Sequence, residues 1–173
     1  MCKEDKKILF VCTGNTCRSA MAEAIFKDML EKSDIKNVEV QSAGLYAIEG
    51  QRASDEAIEV LSSEGIDLSN HISKQIKQSI LLDSDLILAM TKGHKEMLIR
   101  YFPSLRERIY TLKEYAYGVE DDIIDPFGRG IVAYEVALED IKKALAKIGQ
   151  GDRFIVPQKN GTINLSRRPN KEE

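Results

Sequence analysis

The segment Ile8-Leu9-Phe10-Val11-Cys12 constrains this chain more than any other. It is a short, unbroken apolar run, which suits a strand buried on both faces, as in a parallel sheet. A polar turn, Thr13-Gly14-Asn15-Thr16, follows at once, and a helical pattern opens near Arg18. On that helix Ala22, Ile25, Phe26, Met29 and Leu30 recur on one face at 3.6 residues per turn.

The rest of the chain continues the alternation. A strand fits Val38 to Ser42 and ends by Gly44. A helix fits Ser54 to Glu64, with Ser54 as N-cap, acidic residues in its first turn and Gly65 as its stop. Leu86 to Met90 reads as a third strand and Lys92 to Tyr101 as a helix ending before Pro103. Arg108 to Leu112 reads as a fourth strand. A last helix spans about Tyr134 to Ile148, with Tyr134, Ala137, Leu138, Ile141, Leu145 and Ile148 on its apolar face. Strands alternating with helices predict an α/β domain around a parallel sheet, with ligands at the carboxyl ends of its strands. The turn after Cys12 lies at such an end. The boundaries expected are one domain over residues 1–149 and an extended or disordered extension over 150–173.

Composition narrows the classes of function. The net charge of −3 argues against nucleic-acid binding. No apolar run approaches the roughly 18 residues of a membrane span, and the N-terminus has no signal-peptide pattern. A monomeric cytoplasmic protein is the expectation. The three cysteines are Cys2, Cys12 and Cys17. That odd, N-terminal set is a poor disulfide framework, and its spacing does not suit structural zinc. A reactive thiol in a reducing compartment remains.

Cys12 and Arg18 are separated by five residues. A loop of this length entering a helix can turn its amides inward as an anion nest, with the helix dipole behind them. Thr13, Gly14, Asn15, Thr16, Cys17 and Arg18 are the candidate phosphate-binding residues. Gly14 and Asn15 are types that tolerate left-handed backbone. Arg18 can fork two N–H bonds onto phosphoryl oxygens. Cys12 lies at the floor, where such donors, with a further bond from Ser19, would lower a thiol pKa into the range of about 3.5–7.5. A thiolate there attacks phosphorus and forms a cysteinyl phosphate, with neither metal nor cofactor. The departing group needs an acid. Asp125, in Asp125-Pro126-Phe127-Gly128, is the best candidate, although an ordinary turn aspartate explains the same residues.

With both segments quoted, the chain resembles the low-molecular-weight protein tyrosine phosphatase family. The resemblance runs from about Lys7 to Ile148. It rests on residues 11–19, Ser42-Ala43-Gly44, Leu86 to Thr91, and Asp125 to Gly128. It implies a three-layer domain with a four-stranded parallel sheet flanked by helices on both faces. It also implies Cys12 as nucleophile, Arg18 as phosphate clamp and Asp125 as general acid, with Asn15, Ser19 and Ser42 holding the loop. Within the family the chain looks most like bacterial protein-arginine phosphatases. They carry threonine at the position of Thr16 and the Asp-Pro-Phe-Gly form. Thr16 and Phe127 then bear on substrate choice, and phosphorylated proteins are the implied partners. Cys17 has counterparts that form a disulfide with the nucleophile under oxidant. Phosphotyrosine is the alternative substrate. An arsenate reductase would need further relay cysteines, and a non-catalytic phosphate-binding module would lack the nucleophile or the acid.

Overall fold

The structure, a computed structural model, describes residues 5–150. Cys2 and the extension from residue 151 onward lie outside the described residues. Among the described residues, four strands and six helices follow one another. In order they are β1 (Lys6–Cys12), α1 (Arg18–Lys32), β2 (Val38–Gly44), α2 (Asp55–Ser62), α3 (Gln78–Asp83), β3 (Leu86–Ala89), α4 (Lys92–Tyr101), β4 (Ile109–Thr111), α5 (Leu112–Tyr117) and α6 (Ile131–Gln150). A 3-10 turn, Pro103–Arg108, precedes β4.

All strand pairs are parallel, in the order β2-β1-β3-β4. The chain leaves β1 for one side of the sheet and returns to its other side at β3. The loops after β1 and β3 therefore diverge and open a crevice between them. Cys12 ends β1 opposite Gly44 of β2. The loop after β3 begins beside it, with the Met90 amide bonded to the Val11 carbonyl.

The apolar run of β1 is buried on both faces, as expected. Ile8 and Phe10 point to a core shared with α1, α2, α5 and α6. Leu9 and Val11 point to a second core containing Leu81 of α3 and Leu98 of α4. The result is three layers, helix on sheet on helix. The six expected apolar residues of α6 all face the first core.

Three local features differ from the sequence expectation. The strand expected over Arg108 to Leu112 is shorter, because Leu112 begins α5. Thr111 and Glu114 form a reciprocal capping box there, which ends the strand by starting a helix. Helix α3 and the 3-10 turn have no counterpart in the pattern read from sequence. Both are short, and each contributes one fully buried leucine, Leu81 and Leu105.

Among the described residues, no helix is long and apolar enough to cross a membrane. Phe10 is fully buried and meets Phe26 edge to face at 6.0 Å, tying the central strand to α1. Phe10→Ala is expected to lower unfolding free energy by about 3–5 kcal/mol, measured by urea denaturation.

Candidate active site

The loop between β1 and α1 is held by its carbonyls. The Cys12 carbonyl accepts from the Leu45 amide and the Thr13 carbonyl from the Tyr46 amide, both at 2.9 Å. The Asn15 carbonyl accepts from His71 Nε2 at 2.7 Å. The Thr16 carbonyl accepts from the Ser54 amide, and the Cys17 carbonyl from Met21 inside α1. In a trans peptide the N–H points away from the carbonyl it is joined to. Outward carbonyls therefore turn the amides of Thr13, Gly14, Thr16, Cys17 and Arg18 inward. The N-terminus of α1 adds its partial positive charge at the same place.

Asn15 supplies the remaining restraints. It is fully buried with φ +57°, the only left-handed residue of the loop. Gly14, expected to share that role, does not adopt positive φ, and a Cβ there would make only an ordinary contact 3.7 Å from Thr16 Oγ1. The bend is therefore carried by the asparagine, whose side chain is bonded on every side. Nδ2 donates to Ser19 Oγ at 2.8 Å and Ser42 Oγ at 2.9 Å, and Oδ1 accepts from the Lys74 amide at 2.9 Å. The Asn15 amide itself donates to Cys12 Sγ at 3.3 Å.

Ser19 Oγ lies 2.9 Å from Cys12 Sγ. A thiolate can only accept, so once Cys12 is ionised the Ser19 hydroxyl donates to it while its oxygen accepts from Asn15. Burial is the largest influence on the Cys12 thiol and pushes it up from its ordinary value. Ser19, the Arg18 charge and the Asn15 amide pull it down. The net direction is upward, against the low thiol pKa expected from the motif, because the depth of the site outweighs its donors. Arg18 also shares its charge with Asp125, its Nη2 lying 3.4 Å from Oδ2. Arg18 is itself buried, and Nη1 donates to the Ile123 carbonyl at 2.9 Å. The acid candidate thus stands beside the clamp, with a side chain 54% exposed. Asp125 Oδ1 accepts from the Phe127 amide at 3.1 Å, a local turn that directs the carboxylate.

A cavity of about 260 Å³ gathers these residues. Its floor holds Cys12, Thr13, Gly14, Thr16, Cys17 and Arg18, and Asp125 stands on its wall. Phe127, Tyr46 and Ile48 form its mouth, and their exposures of 69%, 66% and 66% leave apolar surface at the entrance. Ser19, Ser42 and the Asn15 side chain support the loop from behind. Cys17 is buried, with the Tyr134 hydroxyl 3.5 Å from its sulfur. Among the described residues no cluster of His, Cys, Asp or Glu is arranged to hold a metal ion.

Sequence reading missed several contributors. His71 and His94, far apart in sequence, both reach the loop. Tyr46 and Ile48 lie in a connection without periodic signal. Gly44 figures in the sequence as a strand end and in the Ser42-Ala43-Gly44 resemblance, with no role at the loop. A Cβ on it would sit 2.5 Å from the Thr13 carbonyl and 2.9 Å from Ala47 Cβ, so only glycine lets β2 pass under the loop.

The family model for low molecular weight phosphotyrosine protein phosphatase matches residues 7–151, and the chain belongs to that family. Among its relatives is the protein-arginine-phosphatase of Bacillus subtilis. The two are 43% identical over 149 residues, covering 84% of this chain and 98% of the relative. The low molecular weight protein-tyrosine-phosphatase PtpB of Staphylococcus haemolyticus is 42% identical over 142 residues, covering 82% and 96%. A solved structure of the YwlE arginine phosphatase, a mutant with a phosphorylated active site serine, superposes with a TM-score of 0.80. It is 39% identical, covering 83% of this chain and 93% of that one.

Two outcomes test this geometry. Ser19→Ala removes a donor that favours the thiolate, so the midpoint of Cys12 alkylation by iodoacetamide is expected to move to higher pH. Gly44→Ala is expected to lower kcat/KM on a small aryl phosphate by about 100-fold, the scale of a 1 Å misplacement of catalytic groups. Circular dichroism should show the fold retained.

Proposed function

We propose that this phosphatase hydrolyses phosphoarginine on proteins through a cysteinyl-phosphate intermediate. The observation that carries the mechanism is the sulfur of Cys12, which lies 2.9 Å from the Ser19 hydroxyl and accepts from the Asn15 amide at the floor of an amide-lined cavity. In the first step the thiolate forms an S–P bond as the P–N bond breaks. Asp125 gives its proton to the departing guanidino nitrogen. In the second step water attacks phosphorus, Asp125 takes a proton from that water, and the S–P bond breaks to release phosphate. The inward amides and Arg18 hold the equatorial oxygens, where charge builds in both transition states. A covalent intermediate accords with the phosphorylated active site serine in the mutant YwlE structure.

Thr16 supports the choice of arginine. It lines the cavity floor, and its β-branched side chain narrows the space beside the phosphoryl group. Its hydroxyl is available to a substrate that carries N–H groups next to phosphorus. Phe127 at the mouth offers a flat face to a planar, cationic guanidinium and its alkyl stem. The arginine-phosphatase relatives from Bacillus subtilis and Geobacillus stearothermophilus, at 43% and 42% identity, support the same reading. Phosphotyrosine is the second reading. The aromatic mouth formed by Tyr46 and Phe127 favours it, since both rings could stack on an aryl ester.

Comparison of kcat/KM on phosphoarginine and phosphotyrosine peptides separates the two. Wild type is expected to prefer phosphoarginine, and Thr16→Ile, which removes the hydroxyl, is expected to shift preference toward phosphotyrosine. A wild type that prefers phosphotyrosine would overturn the substrate assignment and leave the mechanism standing. Cys12→Ala, which leaves no nucleophile, is expected to abolish the burst of product release on either substrate.

A further inference from the structure

His94 enters the site from α4, across the crevice from the phosphate loop. Its Nε2 lies 2.8 Å from Thr13 Oγ1. Its backbone is fixed in the first turn of α4, where its amide donates to the Thr91 hydroxyl at 3.1 Å. The side chain is buried, and its other nitrogen, Nδ1, has no hydrogen-bond partner among the described residues.

These facts select a tautomer. A neutral imidazole has one N–H and one bare nitrogen. A buried N–H without a partner is rarer in proteins than an under-satisfied acceptor. Nδ1 is therefore the bare nitrogen, and Nε2 carries the hydrogen and donates it to Thr13 Oγ1. The charged groups facing the ring are Arg18, Asp125 and Asp122. Burial, then the Arg18 charge, pulls its pKa down to about 4, against the upward pull of both carboxylates. The ring is neutral near pH 7.

The consequence falls on Thr13. Its carbonyl is already tied to the Tyr46 amide, so the main chain is fixed and the hydroxyl rotor is the remaining freedom. With a lone pair occupied by His94, the hydroxyl hydrogen is free to turn into the cavity that Thr13 lines. The opposite tautomer would draw that hydrogen onto Nε2 and present lone pairs to the phosphoryl oxygens.

We infer that His94 is a positioning residue that turns the Thr13 hydroxyl into a hydrogen-bond donor to the phosphoryl group. This rests on the phosphatase reading of the site. It adds a donor to the cradle without adding a second positive charge beside Arg18.

Two measurements test it. Nitrogen-15 NMR of the imidazole near pH 7 should show a protonated Nε2 and an unprotonated Nδ1; a ring protonated at Nδ1 alone overturns the inference whatever the activity. Kinetics on a small aryl phosphate, with inorganic phosphate as competitor, give the second. His94→Leu and Thr13→Val should each lower kcat/KM on the order of 10- to 100-fold, as for loss of a hydrogen bond to a charged group. The double variant should lose no more than either single one. His94→Gln, which keeps a side-chain N–H donor, should recover most of the activity. Additive losses, or His94→Leu at the wild-type level, would contradict it. If His94→Leu does not fold, the tautomer and the comparison of His94→Gln with Thr13→Val decide. A wild type that neither turns over phosphorylated substrates nor binds phosphate would instead remove the underlying phosphatase reading, while the tautomer remains measurable.

Discussion

The site depends on where the carbonyls of one short loop point. Each anchored carbonyl of residues 12–17 is satisfied on the outside of the loop, by β2's exit, by His71, by Ser54 or by α1 itself. Peptide planarity then forces the neighbouring amides inward. The cradle is thus a consequence of anchoring rather than an intrinsic preference of the loop residues. It also explains why the loop tolerates a left-handed asparagine: Asn15 is over-determined by partners on three segments.

Burial and charge are balanced against each other in the same few ångströms. Depth excludes water and strengthens every hydrogen bond to phosphate, yet it also favours the neutral thiol. Ser19, the Arg18 charge and the Asn15 amide pull the other way without reversing the upward direction. Asp125, half exposed at the wall, links clamp to solvent and shares the Arg18 guanidinium with the Ile123 carbonyl. His94 is kept uncharged first by its burial and then by the Arg18 charge. A site that must hold a dianion beside a thiolate gains from neutral donors, because each further cation would have to be buried as well.

The floor and the mouth of the cavity answer different questions. Cys12, Arg18 and the inward amides are indifferent to what the phosphoryl group is attached to. Phe127, Tyr46 and Ile48 line the entrance, while Thr16 lines the floor. Relatives named for arginine and for tyrosine differ by one percentage point in identity, 43% and 42%. Overall likeness therefore places the chain in the family without separating the two substrates.

The sequence by itself determined the strand–loop–helix unit, because an unbroken apolar run, a five-residue gap and a 3.6-residue period are all local signals. It also marked the pair Cys12 and Arg18, since both lie in that unit; around Asp125 the turn chemistry alone did not separate a candidate acid from an ordinary turn aspartate. It misassigned the bend to Gly14 as well as Asn15, and it ran β4 into a helix that Thr111 caps. Only the tertiary structure decided which distant groups hold the loop: Gly44 beneath it, His71 and His94 at its sides, Tyr46 and Ile48 at its mouth. Those residues carry no periodicity of their own. They act because the order β2-β1-β3-β4 brings the loops after three strands to one edge, and such proximity is a property of packing that no local pattern encodes.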